Sequence, residues 1–449
     1  MLFVALSGAV RAQTSTSLEQ EVAELRSMVR KLQTRVDELE TRLKEAPAES
    51  ASHAKPTTDA TAPTPSPPIP TPPEPTSLNG TTINFMVDGY YGYNFNSPIG
   101  RANRLRAYDV SSNSFSLNQV ALVLDHPPDP DKGKRWGARV DLQWGQANQT
   151  LQGNPANEPR PAIYRQLFQA YGTYVVPVGK GLKVDFGKWA SSLGIEGNYT
   201  KDQMNYSRSY WFNFLPFYHM GFRVNYPVND RFAVNYWITN GTQQTEDFNG
   251  FKDQYGGFTL QPRKNISWTV NYYYGQEHPD TIYFLFGPPP ITDPPTQQGV
   301  PFLPIHNPLM GKLHVFDTYA TWQATPKLTF AAEADYVIQR LFTYSPPQHV
   351  DGGALYAQYQ FTPKFALAAR AEYLSDRGGL FSGTDQALKE TTFTTSYKFG
   401  EGFLMRGECR YDFSNQPFFY TSTLGVLKKS QTTATLGLIW WFGGKQGAW

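Results

Sequence analysis

Between residues 82 and 442 apolar and polar side chains alternate with a period of two. Trp136, Ala138, Val140, Leu142 and Trp144 form one series, and Gly137, Arg139, Asp141 and Gln143 interleave with them. One face of that strand is apolar with an aromatic at each end; the other is polar and charged. A strand standing between lipid and a wet lumen needs this arrangement, because lipid-facing and lumen-facing residues alternate along it. A water-soluble barrel would bury its apolar face and leave the terminal aromatics unexplained. The first strand repeats the pattern, with Ile83, Phe85, Val87, Tyr91 and Tyr93 set against Asn84 and Asp88.

Sixteen strands are predicted, over 82–95, 113–125, 136–144, 163–176, 181–189, 217–226, 231–240, 254–260, 265–275, 313–324, 327–338, 352–361, 364–374, 391–399, 402–412 and 431–442. The second, fourth and eighth alternate poorly. Tight turns follow at Pro177-Val178-Gly179-Lys180, 227–230, Pro262-Arg263-Lys264, Thr325-Pro326, Thr362-Pro363 and Gly400-Glu401. Between them fall long segments at 96–112, 147–162, 190–216, 241–253, 276–312, 339–351, 375–390 and 413–430. Long and short connections alternate throughout, as they do when short turns lie in the periplasm and long loops outside. A soluble sandwich with Greek-key connections would break that rhythm. The expected fold is all-β: an antiparallel transmembrane β-barrel of about 16 strands over 78–449. A short coiled-coil helix at 18–45 and a Pro/Ala/Thr-rich linker at 46–77 precede it.

Composition changes this picture little. Charged residues are 17% and aromatics 15% of the 449 residues, where a globular chain carries roughly 25% charged residues. Asn, Gln, Thr, Ser and Tyr supply the missing polarity, which suits a wet lumen and a Tyr-rich wall. A net charge of +2 gives no reason to expect a nucleic-acid partner. The lone cysteine, Cys409, falls on the lipid side of its strand and reads as a small hydrophobe. The seven histidines are scattered, with no HExxH motif and no close His/Cys cluster, so neither a metal site nor a cofactor is expected.

The charges lie on the polar faces. Lumen-wall candidates are Asp88, Arg139, Asp141, Lys183, Asp185, Arg223, Glu333, Asp335, Arg370, Glu372, Arg406, Glu408 and Arg410. Facing lipid, the bases among them would cost about 2–4 kcal/mol each at mid-depth. Facing water they can orient polar solutes, or simply solvate the wall and pair across strands. Segment 190–216 carries Glu196, Lys201, Asp202 and Arg208 among Tyr199, Tyr206, Tyr210, Trp211, Phe212 and Phe214. By fold-level analogy with general porins it is the loop expected to fold inward and narrow the channel, which makes those four charges the constriction candidates. Arg139 and Arg223 are the wall bases expected nearest to it.

The amino terminus adds three expectations. Residues 2–10 are apolar and Ala12 fits a signal-peptidase site, so 1–12 reads as an export signal lacking its basic start. Leu18, Val22, Leu25, Val29, Leu32, Val36, Leu39 and Leu43 are spaced four and three alternately, a heptad seam for self-association. Val at a and Leu at d lean toward a dimer, while an attached barrel can impose three-fold symmetry; a trimer is favoured, with a dimer as the alternative. The TPSPPIPTPPEP core of the next segment lacks the apolar residues to fold and reads as a semi-extended spacer.

The runs LNGTTINFMVDGYYGYNFN, RAYDVSSNSFSLNQVALVLD and RWGARVDLQWG, then VDFGKWASSLGIE and SRSYWFNFLPFYHMGFRVNYPVND, resemble the β-barrel porin-2 family of bacterial outer membranes. The resemblance covers roughly residues 78–442. It implies a cell outer-membrane channel passing small polar solutes, with the coil in the periplasm, and supplies no ligand. Two other classes compete with this reading. An enzymatic barrel would need a catalytic set at its rim, and no GxSxG motif is present. A structural protein would tie the outer membrane to the cell wall through its coil and linker. A more selective sugar or anion channel is the third variant.

Overall fold

The fold is that of a computed structural model, which describes residues 30, 31, 34, 80–151, 158, 161–279, 281–283, 302–304 and 310–444. The export signal, the linker, nearly all of the expected coil and Trp449 lie outside the described residues. Arg30, Lys31 and Thr34 are helical, and the Thr34 hydroxyl donates to the Arg30 carbonyl at 3.0 Å.

The strands are β1 (Thr82–Asn94), β2 (Ser114–His126), β3 (Trp136–Trp144), β4 (Leu167–Val176), β5 (Leu182–Ala190), β6 (Tyr218–Asn229), β7 (Phe232–Thr239), β8 (Asp253–Arg263) and β9 (Ile266–Gly275). A short pair, β10 (Thr281–Tyr283) and β11 (Phe302–Pro304), decorates the longest loop. Then come β12 (Leu313–Thr325), β13 (Leu328–Gln339), β14 (Gln348–Gln360), β15 (Phe365–Arg377), β16 (Gln386–Gly400) and β17 (Phe403–Ser414). A second short pair, β18 (Phe419–Tyr420) and β19 (Leu427–Lys428), precedes β20 (Ser430–Gly443). Each long strand pairs antiparallel with the next, β9 with β12 and β17 with β20, and β20 returns to β1 through Val87 opposite Trp440. The result is a closed barrel of sixteen strands, so every barrel strand has its ladder satisfied on both sides.

All sixteen predicted strands are present, and their misplaced ends have a physical cause. β14 and β16 start at Gln348 and Gln386, several residues before the alternation announced them. There Val350 and Leu388 point inward and are buried, while Lys389 is exposed outside. At the long-loop end the wall rises past the lipid, and apolar-out turns into apolar-in. β4 starts later than expected because Pro161–Tyr164 forms a helical turn.

Two aromatic belts circle the outer face. Trp136, Trp268, Trp322, Phe330, Tyr359, Tyr397, Trp440 and Phe442 are exposed toward the short-turn end. Tyr93, Phe115, Trp144, Tyr272, Phe316, Tyr373 and Tyr411 are exposed toward the long-loop end. Neighbouring rings pack across strands, Phe403 on Trp440 at 4.8 Å and Tyr272 on Phe316 at 4.8 Å. Such girdles mark the two membrane interfaces of a transmembrane barrel. Cys409 is exposed on the outer face. At the short-turn end, Asp129 caps the turn at Lys132, and Gly133 takes the left-handed conformation (φ 77°) that closes it.

Candidate functional site

The segment joining β5 to β6 does not stay at the rim; it crosses the barrel interior. Its own fold is set by Arg208, whose buried guanidinium donates to the carbonyls of Gly197 (3.1 Å), Tyr206 (3.0 Å) and Asn198 (2.8 Å). Arg208 thereby closes the loop on itself. A short helix follows at Tyr210–Phe214, capped by the Ser209 hydroxyl, which accepts from the Phe212 N–H at 2.9 Å.

The wall from β12 to β17 grips this loop. Arg406 donates to the carbonyls of Thr200 (2.6 Å), Asn205 (3.0 Å) and Gln203. The Glu408 carboxylate accepts the N–H groups of Tyr206 (2.6 Å) and Ser207 (3.0 Å), and that of Glu372 accepts the Tyr210 N–H at 2.8 Å. Arg370 donates to Glu196 at 2.8 Å and to Glu390 at 3.1 Å. Arg410 donates to Asp412 at 2.8 Å and to the Arg208 carbonyl. At the root of the loop, Asp317 accepts the Gly194 N–H and Glu333 the Ile195 N–H, at 3.2 and 3.1 Å. Charged groups aimed at loop backbone make stronger hydrogen bonds than neutral ones, and each also satisfies a polar group that would otherwise be buried alone.

Past β20 the grip continues round the barrel onto β1, β2 and β3. Asp88 on β1 accepts from the Tyr206 hydroxyl at 2.9 Å, Gln119 on β2 accepts from Thr200, and Asp141 on β3 accepts from the Tyr199 hydroxyl. Room for the loop is built into the strands. A Cβ on Gly437 of β20 would lie 2.2 Å from the Tyr206 ring, and one on Gly352 of β14 would lie 3.2 Å from Trp211. The loop therefore bonds to strands on both sides of the barrel.

Not every expected charge meets it. Lys201 and Asp202 pair with each other at 2.7 Å. Arg139 makes a two-point bond to Asp141 (2.8 and 2.9 Å), and Arg223 bonds Asp185 at 2.7 Å. Lys183 lies 3.6 Å from Asp185. The expectation that Arg139 and Arg223 are the wall bases nearest to the loop is therefore corrected: Arg370, Arg406 and Arg410 take that position. Strand order around the barrel decides this, and it is not visible in linear spacing. Nor do Glu196 and Arg208 present free charge to a lumen, since one is spent on Arg370 and the other on carbonyls. Asp335 lies beside Asp317 across the β12–β13 ladder.

Two features of the interior are not among the sequence-based expectations. The first is segment 96–112, which folds onto the inward loop. Arg106 bonds Asp109 and Asp412 at 2.8 Å each, and the Tyr108 hydroxyl donates to Asn198 at 2.6 Å. An Arg-Ala-Tyr-Asp run in a loop otherwise poor in function was the available signal. The second is an aromatic floor along β5 to β9, where Trp237 stacks on Tyr255 at 3.7 Å beside Trp189, His219 and Tyr273. These residues sit on the polar side of their strands' alternation, so periodicity assigned them no role.

A closed barrel with apolar exterior, two aromatic belts, a charged interior and a loop folded through it defines a channel-forming outer-membrane protein. The chain belongs to the family described as "Putative beta-barrel porin-2, OmpL-like", which it matches over residues 80–442. Among solved structures it is similar to the anion-selective porin from Comamonas acidovorans, at 11% identity and a TM-score of 0.52, covering 81% of this chain and 99% of that one. It is also similar to Pseudomonas putida OprB, at 13% identity and a TM-score of 0.50, covering 81% and 94%. At these identities the likeness is one of fold. No curated protein sequence matches the chain.

Proposed function

We propose that this porin passes small hydrophilic solutes by passive diffusion, through a lumen narrowed by residues 190–216. The observation that carries the reading is the bonding of one loop to inward side chains on opposite walls, from Asp141 on β3 to Glu333 on β13, eight strands apart in the ring of sixteen. The aqueous path then runs beside β3 to β6, where Arg139, Lys183 and Arg223 face Asp141 and Asp185. Three bases against two acids in a low-dielectric rim give a modest preference for anions. Diffusion needs no cofactor and no moving part. Planar-bilayer recording on the purified protein tests this: stable current steps with a reversal potential on the anion side are expected, and a silent bilayer would defeat the channel reading.

Self-association is part of the same proposal. It rests on the heptads at 18–43, with a trimer favoured over a dimer. Mass measurement in detergent, with and without those residues, is expected to show an oligomer in the full chain; a monomer in both forms would sink it. Contact of the periplasmic coil with the cell wall is an added role on the same segment, and blebbing with normal conductance after its deletion is the expected sign.

A further inference from the structure

Asp317 on β12 and Asp335 on β13 are directly opposite one another in the ladder, and Glu333 shares their inward face two residues before Asp335. Like charges at opposite positions destabilise a sheet unless something neutralises them. Carboxylate oxygens of the three lie within 4.8 Å of one another. Asp335 is 5% exposed, and neither of its oxygens has a hydrogen-bond partner. Asp317 accepts from Asn271 and Gly194, and Glu333 from Ile195 and Tyr356, one donor to each oxygen. Among the described residues no base forms an ion pair with any of the three, and Arg370 nearby is taken by Glu196 and Glu390.

We propose that Asp317, Glu333 and Asp335 form a binding site for a divalent cation of calcium size. The chemistry is that of a hard cation, which takes carboxylate oxygens at about 2.4 Å, so oxygens on one ion are separated by no more than about twice that distance. The spacing of the trio meets this limit. The unpartnered Asp335 carboxylate supplies the ligand that no protein donor claims, and the cation removes the repulsion across the ladder. Magnesium, which demands shorter bonds and near-octahedral geometry, fits less well. Because the same carboxylates hold the Gly194 and Ile195 N–H groups, the ion fixes the root of the inward loop. That last consequence rests on the channel reading, whereas the binding site does not.

Calorimetric titration of Ca2+ into the full chain, in non-ionic detergent after chelation at neutral pH, reads the site directly. One saturable equivalent is expected, weakened at least tenfold in Asp335→Asn and in Glu333→Gln and unchanged in the turn variant Asp129→Asn. Heat-modifiable gel mobility shows whether each variant retains the barrel. As a measurement free of variants, Tb3+ soaked into the wild-type protein is expected to give an anomalous diffraction peak between the three carboxylates. No saturable Ca2+ uptake up to millimolar concentration, variants that bind as tightly as wild type, or Tb3+ found only elsewhere each overturn the proposal. A trio that takes up protons in place of Ca2+ overturns it too. Normal conductance alongside any of these leaves the channel reading standing.

Discussion

The two walls that face the inward loop use the same kinds of residue to opposite ends. On β15 and β17, Arg370, Glu372 and Arg410 have side chains 0–1% exposed, because their partners are the loop and one another. On β3, β5 and β6, Arg139, Arg223 and Lys183 keep 11%, 18% and 40% of their side chains exposed, because their partners are acids on their own wall. A charge whose partner is the loop becomes structure. A charge paired along the wall, with water on its other side, keeps a field that a passing solute can feel. On the proposed channel reading, selectivity and stability belong to different shores of one lumen.

The largest effect is expected from Arg370→Ala. It leaves buried Glu196 without its ion-pair partner and Glu390 with only Arg410 at 3.7 Å, and breaking a buried ion pair from one side costs about 3–5 kcal/mol. Unfolding in denaturant, followed by loss of heat-modifiable mobility, should show that loss, and an unchanged midpoint would mean the gripping shore is not structural. Gly437→Val comes next. Its Cβ would meet the Tyr206 ring at 2.2 Å, so the Tyr206–Asp88 bond must open and the open-channel current should change with the barrel intact. A current identical to wild type would show that the loop does not rest on β20.

Arg223→Glu sharpens the contrast from the other side. It should move the reversal potential toward cations and cost less stability than Arg370→Ala, because Arg223 keeps 18% of its side chain exposed and Asp185 still accepts from Thr173 and lies 3.6 Å from Lys183. A large stability loss with unchanged selectivity would reverse the two shores. The smallest effect belongs to the short-turn pair of Lys180 and Asp230, which lies outside the lumen. Lys180 holds the Asp230 carboxyl below its ordinary value. The contribution is therefore present above the ordinary carboxylate range and fades as pH falls through the lowered value. Lys180→Ala is expected to leave the unfolding midpoint at neutral pH unmoved.

Much of the barrel was legible because a strand in lipid has one rule, and Trp136 to Trp144 obey it without exception. The rule stops where lipid stops, which is why the early ends of β14 and β16 were missed at Val350 and Leu388. That the wall charges belong to one interior was also readable from alternation, whereas Glu196 and Arg208 were expected there only by analogy with general porins. Their partners were not. Arg370 is 174 residues from Glu196, and Arg406 reaches Thr200 from 206 residues away. Closure of β20 on β1 and the path of the loop bring them together, and no local period encodes either. The acidic trio is hidden for the same reason, since Asp317 and Asp335 meet only through the register of β12 on β13.

The account turns on one claim, that residues 190–216 narrow a continuous aqueous lumen. Single-channel recording of the wild-type protein beside a form lacking residues 196–208, both shown to be folded barrels, measures it most directly. The account predicts steps in both, several times larger in the shortened form and with weaker ion preference. Equal step size and equal selectivity in the two forms would contradict it.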